Sequence, residues 1–374
     1  MKIARSLLIL LLLAAGLTTS ASAEAPPETS AASFILMDAA SGRTLAAQNE
    51  YDPRLIASTT KIMTALIALE QCDPDTEVEI EPAWTGIEGS SMYLTPGQVM
   101  TIRDLLYGLM LASGNDAAVA LACITAGDVE SFAELMNERA AELGCEKTHF
   151  ENPNGLDSDE HYSCARDLAF IAREAIQNEE FRRIVSTSSA TVDGRTFTNH
   201  NRLLRECDGV FGVKTGYTEA AGRTLVTCCE RGGVTLICVT LSDPDDWNDH
   251  EALYDWAYNE YAWYDTGQNA KWQVPVIGGE AETVTVTASD TLSVPHTEDD
   301  TVETRVQLPS YVFPPIERGG IAGEIALYVN GEKSASVPLV FTESVGRTDA
   351  GDLTLWDSLR FLRSLSERKI FAFL

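Results

Sequence analysis

The sequence runs to 374 residues, 45% of them apolar, which is enough for two or three domains with substantial buried cores. Fifty-six acidic residues against 27 basic ones give a formal charge of −29, which excludes nucleic-acid binding by general electrostatics and diffuse adhesion to anionic membrane or wall polymers. Eight cysteines with no C-x-x-C spacing exclude a zinc ribbon or redox couple, and five scattered histidines with no H-E-x-x-H pattern give no reason to expect a metal or other cofactor.

Residues 1–23 read as a signal peptide. Lys2 and Arg5 precede an apolar run from Leu7 to Ala15, and Ala21-Ser22-Ala23 forms an A-x-A cleavage pattern. The run is too short to span a membrane. Export is therefore expected, with the mature chain starting near Glu24. Loss of the two basic leader residues takes the net charge to −31. Several cysteines, such as Cys123 and Cys238, sit in apolar runs and read as small buried hydrophobes.

Ser33–Asp38 predicts a strand, Ala40–Arg43 its turn and Thr44–Ala47 the returning strand. Lys61–Leu69 predicts a helix, opened by Ser58-Thr59-Thr60 as capping residues. From Thr101 to about Asn178 the apolar spacing is mainly helical, broken by a loop at Asn152-Pro153-Asn154-Gly155. Strands return after Val185. Thr224–Cys229 and Val234–Leu241 form a hairpin around Gly232-Gly233, and Glu251–Trp263 closes the region as a helix. Residues 24–265 are thus expected to form an α/β (α+β) domain with an antiparallel sheet and an all-helical subdomain.

Beyond Pro275 the texture changes. Glu282–Thr287, Val302–Leu308 and Ile325–Val329 alternate apolar and polar residues between prolines and glycines, so residues 275–345 predict a small all-β domain, a β-sandwich. The tail, 352–374, combines Leu355, Trp356, Leu359, Phe361 and Leu362 with Arg360, Arg363, Arg368 and Lys369. That pattern predicts an amphipathic helix lying in a membrane surface, against the alternative of a helix docked on its own β-domain.

Three short motifs occur in order: Ser58-Thr59-Thr60-Lys61, Ser113-Gly114-Asn115 and Lys214-Thr215-Gly216. Each is weak alone; Ser366-Glu367-Arg368-Lys369 also fits S-x-x-K. A serine needs a base, because its free hydroxyl is a poor nucleophile at neutral pH. A lysine three residues on along a helix lies on the same face, within reach of the serine oxygen. Such a lysine works only when neutral, which burial and a neighbouring positive charge such as Lys214 achieve. Ser113-Gly114-Asn115 falls between two apolar helical segments. Lys214-Thr215-Gly216 lies among β-forming residues, where a glycine lets a substrate backbone lie against a strand edge.

These residues resemble the penicillin-binding-protein and serine β-lactamase superfamily. Within it they are most similar to the low-molecular-mass serine D-Ala-D-Ala carboxypeptidases of the peptidase S11 type, from about Ser33 to Tyr261. The likeness extends through Phe150–Asp157, His161-Tyr162-Ser163 and Thr198-Asn199-His200-Asn201. It implies Ser58 as acylated nucleophile, Lys61 as its base, and Ser113 as the group that passes a proton to the leaving D-alanine. It also implies Asn115 on the substrate amide and Lys61, Lys214 and Thr215 on the terminal carboxylate, and the N–H groups of Ser58 and Tyr217, beside Gly216, as an oxyanion hole. The implied partners are peptidoglycan stem peptides, with β-lactams as acylating inhibitors. The implied location is the outer face of the cytoplasmic membrane, reached through the C-terminal helix.

Two departures stand out. The family's carboxylate-binding arginine before the closing helix is missing from Pro244–His250, which leaves Arg223 or His250 to assist. The β-lactamase E-x-x-L-N pattern is also absent, since Glu151 is followed by Asn152-Pro153-Asn154-Gly155. The alternatives are a D,D-endopeptidase of peptidoglycan crosslinks and, with less support, a β-lactamase or a non-catalytic wall-peptide binding protein.

Overall fold

The computed structural model of the protein describes residues 25–266 and 270–348. The expected signal peptide and amphipathic tail lie outside these residues.

Strand β1 (Ser33–Asp38) is buried along its whole length, because both faces of its sheet are covered. Ile35 and Met37 enter the larger core with the helices, while Phe34 and Leu36 enter a second core on the opposite face. β2 (Thr44–Gln48) returns beside it. After a single 3-10 turn, Ala57–Thr60, come α1 (Lys61–Gln71), β3 (Glu77–Glu79), β4 (Val99–Thr101), α2 (Ile102–Leu111), α3 (Asn115–Ala126), α4 (Val129–Glu142) and α5 (Ala165–Ala175). α6 (Glu179–Val185), β5 (Ser189–Val192), β6 (Arg195–Thr198) and α7 (Leu203–Glu206) lead back to the sheet through β7 (Val210–Thr218), β8 (Gly222–Arg231) and β9 (Val234–Leu241). α8 (Asp246–Glu260) closes the domain. The sheet order is β2-β1-β9-β8-β7, antiparallel throughout. Helices α1–α6 cover one face, and α8 covers the other through Leu253, Tyr254 and Ala257.

Three local expectations are corrected. Thr59 and Thr60 do not cap α1: their hydroxyls donate back to the carbonyls of Ile56, at 2.6 Å, and Ala57, at 2.8 Å. The chain therefore enters the helix through a 3-10 turn rather than a side-chain cap. Helix also continues past Asn178, whose Oδ1 accepts from the Glu180 and Phe181 amides and starts α6. The closing helix begins at Asp246 and ends at Glu260, so Trp263 lies in a strand.

That strand, β10 (Ala262–Asp265), pairs with β13 (Ser293–His296). β11 (Lys271–Pro275), β12 (Thr283–Ala288), β14 (Val302–Gln307), β15 (Ile321–Val329) and β16 (Glu332–Phe341) form a second five-stranded antiparallel sheet, ordered β11-β12-β16-β15-β14. Val284, Val286, Ile325 and Leu339 build its core, and Val294 of β13 packs on Leu327 and Val329. Arg43 joins the two halves, donating to the Pro295 carbonyl at 2.5 Å and pairing with Asp300 at 3.1 Å. The α/β domain followed by an all-β domain is the architecture that the residue pattern predicts.

Candidate active site

Ser58 sits in the 3-10 turn at the mouth of α1, half-buried, and Lys61 is the first residue of that helix. The three-residue spacing brings the Lys61 Nζ to 2.9 Å from the Ser58 Oγ. Lys61 is fully buried, and its amine makes two further contacts, 2.7 Å to the Asn115 Oδ1 and 2.5 Å to the Asn154 carbonyl. The orientation of the Asn115 amide is fixed by its own Nδ2, which donates to the Glu88 carbonyl at 2.6 Å.

Valence then assigns the amine's third direction. A neutral amine carries two N–H bonds and one lone pair. Both oxygens of Asn115 and Asn154 can only accept, so they take the two hydrogens. The lone pair is left facing the Ser58 hydroxyl at base distance. Burial, and then the charge of Lys214, push Lys61 well below the usual lysine range, with Asp116 pulling the other way.

Asn115 is held by the turn between α2 and α3. Ser113, nearly buried, adopts a left-handed φ of 58° there, and the Asn115 amide donates to the Ser90 carbonyl at 2.7 Å. Asp116 anchors the facing loop. Its carboxylate accepts from the Ser91 hydroxyl at 2.6 Å and from the amides of Met92 and Leu94. The buried carboxylate after the second motif was not singled out from sequence; its only signal there was an acid opening an apolar helix.

β7 supplies the third motif from the sheet edge. Lys214 is 2% exposed, and burial lowers it to about 7. Its ammonium donates to the Thr215 carbonyl at 2.8 Å. An edge lysine that serves only to deter other strands stays in water, so this burial points to chemistry. Gly216 lies so close to the nucleophile turn that a Cβ there would stand 3.0 Å from the Ser58 amide and 2.3 Å from the Thr224 hydroxyl. Tyr217 follows, exposed, opposite Arg223 in the β7–β8 ladder.

Neither expected helper of Lys214 takes that part. His250 is fully buried in the core below α8, with its ring nitrogens bonded to Thr227 at 2.6 Å and Thr240 at 3.0 Å. Arg223 makes a bidentate pair with buried Asp246, Nε to Oδ1 at 3.1 Å and Nη2 to Oδ2 at 3.0 Å, and lies over the Trp247 ring. What sequence reasoning missed is the carbonyl of Asn154. A backbone acceptor has no residue signature, and Asn152-Pro153-Asn154-Gly155 signalled only a loop.

Comparison with known proteins agrees with this architecture. The family profile described as D-alanyl-D-alanine carboxypeptidase matches residues 19–245, and the penicillin-binding protein 5 C-terminal domain matches residues 258–347. The chain is 32% identical over 343 residues to the D-alanyl-D-alanine carboxypeptidase DacF of Bacillus subtilis, covering 87% of each chain. It is 34% identical over 354 residues to DacD of Escherichia coli, covering 86% of this chain and 88% of that one. The crystal structure of penicillin binding protein 5 from Haemophilus influenzae superposes with a TM-score of 0.71 at 29% identity, covering 87% of this chain and 100% of that one. With the family profile spanning more than half of its length, the chain belongs to the D-alanyl-D-alanine carboxypeptidase family.

Proposed function

We propose that the family's carboxypeptidase activity is carried in this chain by an acyl-enzyme on Ser58, formed with Lys61 as base. The observation that supports this most directly is the three-way coordination of the Lys61 amine, which in its neutral form leaves the lone pair for the Ser58 Oγ. In this reading Ser58 attacks the carbonyl between the two terminal D-alanines, and its proton passes to Lys61. The amides of Ser58 and Tyr217 stabilise the developing oxyanion. Ser113 relays the proton held by Lys61 to the departing D-alanine amine, and Asn115 orients both the substrate amide and Lys61. Lys214 and Thr215 hold the terminal carboxylate without an arginine, since Arg223 is committed to Asp246. Water then hydrolyses the ester and frees Ser58.

The substrate class is the stem peptide of peptidoglycan. A β-lactam, whose strained amide and carboxylate occupy the same positions, acylates Ser58 in its place. The name of the Haemophilus influenzae neighbour supports that part. The signal-peptide pattern and the basic, apolar tail support an exported enzyme held at the outer face of the cytoplasmic membrane. No described helix is long and apolar enough to cross one.

The deciding measurement is D-alanine release from a peptide ending in Lys-D-Ala-D-Ala by the mature protein and by Ser58→Ala. Release is expected from the first alone. Equal release from both would remove Ser58 from the chemistry.

A further inference from the structure

His161 lies directly behind the nucleophile. It is 1% exposed, on the segment that follows the Asn152–Gly155 loop, and its ring packs edge-on against Phe150 at 5.7 Å. Its Nε2 stands 2.8 Å from the Thr60 hydroxyl, inside the turn that carries Ser58, and its Nδ1 lies 3.1 Å from the amide of Glu151. These contacts select one tautomer. The Thr60 hydroxyl donates to the Ala57 carbonyl, so it accepts from His161, and the proton sits on Nε2. The Glu151 N–H needs an acceptor, so Nδ1 is bare.

The Asn152–Gly155 loop also touches both the turn and the start of α1. The Asn154 carbonyl accepts a hydrogen bond from Lys61, and Gly155 packs against Ala57, which holds a left-handed φ of 46°. From these contacts we infer that His161 is a positioning residue for acylation: as the neutral Nε2–H tautomer it bolts the Ser58 turn to the loop whose Asn154 carbonyl orients Lys61. The family likeness includes His161-Tyr162-Ser163 but gives the histidine no role, because it reaches the nucleophile through Thr60 rather than through substrate. Burial holds the ring neutral, down to about 4; Glu151 opposes this, and His149 and Lys61 add to it.

The inference rests on the proposed roles of Ser58 and Lys61, and two short variants test it separately from them. In His161→Gln the amide nitrogen reaches as far as Nε2 and still donates to Thr60. In His161→Asn the amide oxygen still accepts from Glu151, but the side chain falls short of Thr60. Acylation is followed with a fluorescent penicillin as probe, across pH, with thermal unfolding as a check on folding. We expect His161→Asn to acylate about tenfold more slowly or worse, the loss of one well-placed hydrogen bond. His161→Gln should stay within about threefold of wild type.

The acid limb provides a readout that mere loss of stability does not move. It belongs to Lys61, which faces Lys214 from β7 and Asp116 from α3. If the Asn154 carbonyl drifts away, the Lys61 ammonium loses an acceptor, and the limb moves to lower pH in His161→Asn alone. Wild-type acylation in His161→Asn, or equal losses in the two variants, overturns the inference. Failure of the wild type to acylate overturns instead the roles of Ser58 and Lys61.

Discussion

In the proposed mechanism two buried lysines in one site need opposite charge states: Lys61 neutral to take the Ser58 proton, and Lys214 charged to hold a carboxylate. Burial lowers both, and Lys214 depresses Lys61 further. Turnover efficiency, kcat/KM, should therefore rise as Lys61 sheds its proton and fall again above about pH 7 as Lys214 sheds its own. The apparent values belong to the coupled pair. Two pH units above its midpoint, the falling limb amounts to about a hundredfold loss. Lys214→Arg, which stays charged, should erase that limb between pH 6 and 9. Its persistence in the variant would assign it to another group. In kcat, read from the enzyme–substrate complex, the limb should lie higher, because a bound carboxylate stabilises the ammonium.

At the scale of elements, the site is four segments from distant parts of the chain pressed together at close range. The loop at 152–155 shows how tight that fit is. A Cβ on Gly155 would stand 1.9 Å from the Ala57 carbonyl oxygen, and the residue holds a φ of 86° that side chains resist. Gly155→Ala should cost about 1–3 kcal/mol in urea unfolding and slow acylation by at least about tenfold, because relief requires either the Ser58 turn or the loop that orients Lys61 to move. Wild-type values for both would show that the contact is dispensable. The S-x-x-K pair was legible in sequence, because i to i+3 on a helix is a local rule that holds whatever the rest of the chain does. The capping role given to Thr59 and Thr60 failed for an equally local reason. Their hydroxyls found carbonyls three residues back, a competition that composition does not decide.

For the molecule as a whole, the catalytic half and the β-half meet through Arg43 at Pro295 and Asp300 and through the Trp263 indole on Asp38, at 3.2 Å. The proposed membrane contact depends on the segment after Thr348. Flotation with liposomes of anionic composition, comparing the chain from Glu24 with one ending at Gly351, should leave the shorter form at the bottom of the gradient. The body of the protein is strongly acidic and has no electrostatic reason to bind such a surface. Equal flotation of both forms would remove the tail from the account.

Sequence by itself determined the class of architecture, because helical spacing in 102–176 and alternation in 282–287 and 325–329 each report which face is buried, and burial dominates folding. It also determined the reaction family, since three motifs in one order carry a combination that no single one does. Only the tertiary structure decided what Lys61 does with its hydrogens, because the acceptors come from Asn115, 54 residues away, and from the Asn154 carbonyl, 93 residues away. Side-chain identity says nothing about such backbone acceptors. It was also tertiary packing that removed Arg223 and His250 from the site: α8 lies against the far face of the sheet, so buried Asp246 claims the arginine, and Thr227 and Thr240 claim the imidazole in a core where an unpaired polar group is too costly to leave.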